Sequence, residues 1–408
     1  MSSVPKVVTA SNVAVVRSVL LDAAGASQSV MLRGGGTKLA PGASQTPDLV
    51  LDFAALSALE SYEPGELVLR AGAGARVVDI EALLAEHDQM LAFEPPDFGP
   101  LMGRPAGAST LGGMLSAGLS GPRRIAAGAA RDHFLGFEAV SGRGVAFKAG
   151  GPVVKNVTGF DLPKLMAGSW GALAALTSVT LKVMPRPKAS LTLVVGGQDE
   201  RAACASLSLA MGGPWSVSGA AFLPASLGQR SPLSFPSSAT LLRLEGFSPS
   251  VQARASSLRQ ALAVLGSVDI IQQPDGENLW RWVRDLGAFW GRPQRLWRLS
   301  VPPADGWQVD ALLSGLEGEL LLDWAGGQVW WAGAGETSMA EQSEAVWRAV
   351  RSLGGHACLF RGEAADHQVE RPVSAANVGL TALAARVKTA FDPVAVLQGG
   401  RPYMFGPA

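Results

Sequence analysis

Histidine and cysteine are scarce in this chain, and the scarcity closes off several chemistries. Among 408 residues there are two cysteines, Cys204 and Cys358, and four histidines. Two distant thiols make no disulfide framework, and they fall short of the roughly four ligands that an iron–sulfur cluster needs. The expected compartment is therefore reducing. The histidines stand apart at 87, 133, 356 and 367. Glu363 and Asp366 lie near His367, but no second histidine stands at ligand spacing, so no metal site is expected. Charge is also sparse, at 17% of residues, and balanced at 34 basic to 34 acidic. That excludes the basic footprint of a nucleic-acid binder and a polybasic membrane patch. No apolar run reaches the ~18 residues of a membrane span, since Arg17 interrupts the longest N-terminal candidate. The opening Met1–Lys6 lacks the apolar core of a signal peptide, which points to a cytoplasmic protein.

What the chain has is apolar residues, at 48%, and 49 glycines. Its length suits two domains with a returning tail, and a near-neutral, apolar chain fits either a large core or a place in a complex. Ser11 is placed to cap a helix carrying Val13, Val16, Leu20 and Leu21. Strands are expected at 30–32, 49–51, 67–70, 137–140, 145–148 and 176–183, with a helix over 76–87. Pro185-Arg186-Pro187-Lys188 marks a boundary, and ten of the eleven tryptophans lie beyond it. There the pattern predicts strands at 191–195, 241–244, 296–301, 320–324, 329–332 and 357–361. Helices are expected over 200–211, 250–265 and 339–353. An antiparallel sheet with helices on one face follows, and the fold class is α+β. The expected domains are 1–188, 189–374 and a tail, 375–408, that carries a helix through Lys388 and returns to the first domain.

Three glycine-dense segments carry the chemistry. Gly34-Gly35-Gly36-Thr37 follows a strand, with Arg33 and Lys38 on either side. Backbone N–H groups in such a turn can approach phosphate oxygens, because no Cβ intervenes. The P-loop pattern fails, because the lysine follows the threonine and Pro41-Gly42 blocks a helix. The Rossmann fingerprint also fails, because Val77 stands where Gly72-Ala73-Gly74 would need its third glycine. The second segment runs from Gly107 to Gly121, where Ser109 and Thr110 could reach a phosphate; its small residues equally suit tight helix packing. Arg123 and Arg124 read as a solvated pair, Arg131-Asp132 as an ion pair, and His133 as a turn residue. The third segment is Gly150 to Leu162.

Together these segments resemble the FAD-binding domain of the PCMH, or vanillyl-alcohol oxidase, type of flavoprotein. The run Gly151-Pro152-Val153-Val154-Lys155-Asn156-Val157-Thr158-Gly159-Phe160-Asp161 and the block Met166 to Gly171 narrow the match. They resemble the E-subunit family of bacterial glycolate oxidases, as do Leu296–Pro302, Leu322–Gln328 and Gly354–Arg361. The resemblance implies a two-lobed PCMH-type FAD-binding domain followed by a smaller α+β domain with an antiparallel sheet. It implies that Arg33, Gly34, Gly35, Gly36, Thr37 and Lys38 hold the FAD pyrophosphate, with Ser109, Thr110, Gly112, Gly113 and Gly118 on the other side of the dinucleotide. Asn156, Gly159 and Asp161 would lie toward the flavin; Gly171, Leu173 and Thr177 belong to the segment facing the adenine end. Many such proteins attach FAD through a histidine in the first loop; Thr37 follows the glycines here, so non-covalent FAD is expected. Two departures stand out: Phe160 where tyrosine is common, and Gln398-Gly399 in a tail block that usually reads Asn-Pro.

Single-chain relatives of that type oxidise 2-hydroxy acids with a His-x-Gly-Asp-Gly-Asn-x-His block, and this chain has none. The expected role is thus an FAD subunit of a glycolate oxidase, turning glycolate into glyoxylate. A D-type flavoprotein subunit would abstract the hydride, and an F-type subunit would carry iron–sulfur clusters. Any membrane attachment would run through those partners, at the inner membrane. The alternatives are a self-sufficient D-2-hydroxy acid dehydrogenase and a flavin-free scaffold. Arg298, Arg361 and His356 are the candidates for a residual catalytic site, with Asp323 beside them; sheet-face ion pairs or partner contacts fit these residues as well. Trp280, Trp282, Trp290 and Trp297 fit either core packing or an interface cluster.

Overall fold

In a computed structural model, residues 5–38, 46–152, 159–369 and 378–398 are described. They divide into two compact units. The first takes the described residues of 1–120, 128–185 and 371–408, and the second those of 121–127 and 186–370.

The first unit holds two main sheets. One is a parallel sheet in the order Lys6–Thr9, Leu49–Asp52, Val30–Arg33 and Leu397–Gln398. Its core gathers Val16 and Leu20 of the helix Val13–Gly25 with Val30, Leu51, Val396 and Leu397. That helix is capped by Asn12, whose side chain accepts the Val15 N–H; Ser11 lies one residue too early for the role. The other sheet is antiparallel, in the order Leu59–Glu63, Val68–Gly72, Ala174–Lys182, Phe134–Ser141 and Ala146–Gly150. Leu69, Ala71, Phe137, Val179 and Leu181 alternate onto one of its faces. There they bury against Ile80 and Leu84 of the helix Val77–Ala85 and against Met114 and Leu115 of the helix Leu111–Ala117. The α+β class and the two-lobed layout of this part are therefore what the chain adopts.

The second unit is built on one eight-stranded antiparallel sheet. Two of its strands, Val217–Leu223 and Val268–Ile271, lie in sequence that gives no clear alternation. Val217–Leu223 is buried along its whole length, so it reads as a continuous apolar run without period. The helices are not confined to one face. Gln342 of the helix Met339–Ser352 accepts the indole N–H of Trp297 on one face. Trp280 of the helix Asp275–Arg284 donates to Thr192, whose cross-strand partner is Arg243. Tracing the strand pairing from Trp297 to Leu242 puts Thr192 and Arg243 on the opposite face.

Candidate functional site

The strand Val30–Arg33 delivers the chain into Gly34, and the loop to Lys38 lies along a cleft. Thr110, Gly112, Gly113, Ser116 and Ala117 of the second segment also line it, as do Trp170 and Gly171. The cleft encloses about 720 Å³, its open mouth included.

The glycines serve three different purposes. A Cβ on Gly34 would stand 2.1 Å from the Thr110 hydroxyl oxygen, and one on Gly35 would stand 1.5 Å from the Ala108 carbonyl oxygen. These two are glycine so that the first loop can lie directly on the second. Gly36 has φ +66, the left-handed region that a tight turn needs, with almost nothing near its missing Cβ. Gly112 packs on Ala73, where a Cβ would come within 2.7 Å. Gly118, with φ +62, ends the helix Leu111–Ala117, and a Cβ there would press on the Gly168 backbone. Backbone hydrogen bonds hold this second segment in place: Val77 N to Ser109 O, Leu111 N to Ala75 O, and Gly112 N to Ala73 O, all between 2.8 and 2.9 Å. Thr110 caps its helix by accepting the Gly113 N–H.

The charges are distributed less evenly than the sequence suggests. Arg33 lines the cleft, yet its guanidinium is bonded to Asp52, its partner across the parallel strands, at 2.7 Å. Lys38 is the buried cation. Its ammonium donates to Ser109 Oγ at 2.6 Å and to Thr37 Oγ1 at 3.2 Å. Burial pushes its pKa down to about 8, against the raising effect of Asp97. Asp97 itself accepts the N–H groups of Gly99 and Gly107, and so shapes the loop leading to Ser109. A desolvated ammonium in a glycine-lined cleft suits an anionic ligand, which would restore the charged form that burial disfavours.

Of the residues singled out from the sequence, Arg33, Gly34, Gly35, Gly36, Thr37, Lys38, Thr110, Gly112, Gly113 and Gly171 line the cleft, and Ser109 reaches it through Lys38. Gly118, Leu173 and Thr177 stand behind the lining: Leu173 is core, and Thr177 bonds its hydroxyl to the Glu138 carbonyl. Gly159 and Asp161 are exposed outside it, with Asp161 paired to Lys164. Asn156 lies outside the described residues, as does Gly399. Sequence reasoning missed Leu32, Phe53, Ala73, Ser116, Ala117 and Trp170 in the lining, whereas Leu176 falls within the Gly171–Thr177 segment expected at the adenine end. Trp170 was recoverable, since it sits inside the quoted Met166–Gly171 block.

Other expectations change. His133 is not in a turn: it ends the short helix Ala130–His133, is buried, and lies 5.4 Å from the Phe93 ring. Arg123 and Arg124 are not a solvated pair. Arg123 forms a largely buried ion pair with Glu245 at 2.6 Å, and the Arg124 guanidinium lies 4.0 Å from the centre of the Trp324 ring. Among the catalytic candidates, Arg361 is buried and donates to the carbonyls of Phe289 and Gln294, and burial lowers its pKa to about 10. Arg298 donates to Gln328 at 3.0 Å and lies over Trp324 and Trp330. Partial burial and then the Arg298 charge lower the pKa of His356. Asp323 accepts the Trp324 backbone N–H. Trp280 and Trp297 are core, Trp282 is half-buried, and Trp290 is exposed, so the four form no single surface cluster.

Among the described residues, no three His, Cys, Asp or Glu side chains are grouped to hold a metal ion, and no helix is long and apolar enough to cross a membrane. Residues 4–150 match the family model described as "FAD binding domain". The glycolate oxidase subunit GlcE of Escherichia coli (strain K12) is 33% identical over 384 residues, 92% of this chain and 92% of that one. Glycolate oxidase subunit GlcD of Bacillus subtilis (strain 168) is 30% identical over 180 residues, covering 44% of this chain and 37% of that one. Among solved structures, p-cresol methylhydroxylase with substrate bound superposes with a TM-score of 0.69 at 16% identity, over 98% of this chain and 88% of that one.

Proposed function

From the premise that this chain belongs to the family of the glycolate oxidase GlcE subunit, we propose that it is the FAD-carrying subunit of a glycolate oxidase, an FAD-linked oxidoreductase. One observation carries the reading. Two glycine loops more than seventy residues apart in sequence are pressed together around a buried ammonium, in a cleft of dinucleotide-binding character. Bound FAD would supply hydride acceptance and onward electron transfer.

The chain's own residues would do the holding. Lys38 would set its charge against the diphosphate, with Ser109 and Thr37 fixing the direction of the ammonium. The backbone of Gly34–Gly36 and the Thr110–Gly113 segment would bound the ligand, together with Trp170 and Gly171. With Thr37 after the glycines and no histidine there, the attachment would be non-covalent.

The division of labour is also part of the proposal. A D-type flavoprotein partner would take the hydride from glycolate, and an F-type partner would pass electrons through iron–sulfur clusters to the membrane. This chain lacks the histidine block of single-chain 2-hydroxy acid dehydrogenases, which supports an accessory flavin. Arg361, moreover, is committed to two backbone carbonyls rather than offered to a substrate carboxylate. The test is anaerobic addition of glycolate to the purified, FAD-loaded chain. The accessory role expects the flavin to stay yellow until the D-type partner is added. Bleaching by glycolate alone at catalytic rates would make this chain a dehydrogenase in its own right.

A further inference from the structure

We propose that Lys388, far in sequence from both glycine loops, is a positioning residue for the cofactor cleft, acting through two backbone carbonyls that it holds at once. The inference rests on reading the cleft as the FAD site.

The helix Val378–Phe391 belongs to the first unit, where Val387 and Phe391 pack against the core of the antiparallel sheet. Lys388 lies between them. Its ammonium donates to the Ala172 carbonyl at 2.8 Å, to the Leu397 carbonyl at 2.9 Å and to Asp392 Oδ2 at 2.5 Å. All three N–H donors of the group are thereby used.

Each carbonyl belongs to a different segment that leads into the lining. Ala172 directly follows Gly171, which lines the cleft with φ +78. Leu397 pairs in parallel with Val30, and Val30 N donates to Val396 O at 2.8 Å. Val30 opens the strand that ends at Arg33, where the first glycine loop begins. Asp392 completes the clasp. It is buried, and it accepts the N–H groups of Val396 and Leu397 at 3.0 and 2.8 Å. The seat is tight, since a Cβ on Gly142 would stand 2.3 Å from the Asp392 carboxyl carbon. One ammonium thus sets the separation between the Trp170–Gly171 part of the lining and the strand that feeds the Gly34–Lys38 loop.

A tail staple with no bearing on the cofactor would affect the stability of the apoprotein alone. The experiment therefore compares Lys388→Met with Val387→Ala in the full-length chain. Val387→Ala loosens the same helix without touching either carbonyl. FAD is titrated into each apoprotein, following flavin fluorescence and visible circular dichroism, and the apo melting temperature is measured beside it. The expected result is a Kd at least tenfold higher and a changed flavin dichroism for Lys388→Met, with Val387→Ala losing melting temperature but keeping the wild-type Kd. Lys388→Gln, which retains one short donor group, is expected to fall between and keeps the test open where the methionine variant does not fold. A folded Lys388→Met or Lys388→Gln protein with the wild-type Kd and dichroism would overturn the inference and leave the cleft reading intact. A wild-type chain that binds no FAD would instead remove the cleft reading itself.

Discussion

Gly35 lies against Ala108 so closely that a Cβ on the glycine would stand 1.5 Å from the alanine's carbonyl oxygen. The contact is backbone on backbone, so no side-chain rearrangement can relieve it. It fixes the first glycine loop, whose Gly35 lines the cleft, on the second.

Substitution at Gly35 and at Gly36 should therefore separate. Gly35→Ala forces the two loops apart and is expected to abolish measurable FAD binding. Gly36→Asn keeps a residue that tolerates the left-handed region, and its missing Cβ has room. It should cost about 1 kcal/mol or less of stability and leave binding largely intact. Flavin titration together with thermal melting of the two variants checks the contrast.

The affinity for FAD should depend on pH through Lys38. Burial lowers its pKa to about 8 in the free cleft, and a diphosphate beside it would raise that value again. Binding is then coupled to proton uptake, and the affinity falls as pH rises past 8. The slope approaches about tenfold per pH unit until the pKa of the complex is reached. Calorimetric titrations in buffers of different ionisation enthalpy, at pH 7 and pH 9, measure both the uptake and the slope. A pH-independent Kd would contradict the role given to Lys38.

Much of this was legible in the sequence, for identifiable reasons. The parallel strand at Val30–Arg33 and the loop after it show themselves because an apolar run ends abruptly in three glycines. What those glycines do was only half legible. The absence of a Cβ at Gly34 and Gly35 serves contact with Thr110 and Ala108, and a spacing of some seventy residues carries no local signal of that contact. For the same reason Arg33 read as a phosphate ligand, although its partner is Asp52 on the neighbouring strand. The buried pairing of Arg123 was hidden in the same way: its carboxylate, Glu245, lies 122 residues away. Val217–Leu223 was missed because a strand buried on both faces loses the alternation that marks one.

That ion pair is open to test. Glu245 lies between Arg123 at 2.6 Å and Arg243 at 3.6 Å, and all three side chains are largely buried. Glu245→Gln removes the carboxylate charge that both desolvated guanidiniums share. The loss expected on breaking a buried pair is about 3–5 kcal/mol, read as a lower urea midpoint. Arg131, paired to Asp132 at 3.9 Å on the surface, is the control: Arg131→Ala should cost less than ~1 kcal/mol.

The proposed non-covalent attachment makes a simple prediction. Acid precipitation of the flavin-loaded chain should leave the yellow colour in the supernatant, with the pellet colourless under ultraviolet light. A fluorescent pellet would mean a covalent bond from a side chain other than histidine at position 37, where threonine stands.

Lys38→Met should pull stability and binding in opposite directions. In the free protein the ammonium is desolvated, so the folded state holds its proton less tightly than the unfolded chain does, with a pKa of about 8 against 10.5. The folded form is thus penalised at neutral pH, by an amount on the order of 3 kcal/mol. The penalty is full below pH 8 and is relieved as pH climbs from 8 toward 10.5. Methionine keeps the apolar stem and removes the charge, so the apoprotein should melt higher than wild type at pH 7, with the gap closing by pH 10. The same change strips the cleft of its buried cation and should raise the Kd for FAD by tenfold or more. Melting curves at pH 7 and pH 10, with a flavin titration at pH 7, read both effects. A variant less stable than wild type at pH 7 would mean that the bonds to Ser109 and Thr37 outweigh the cost of burying the ammonium.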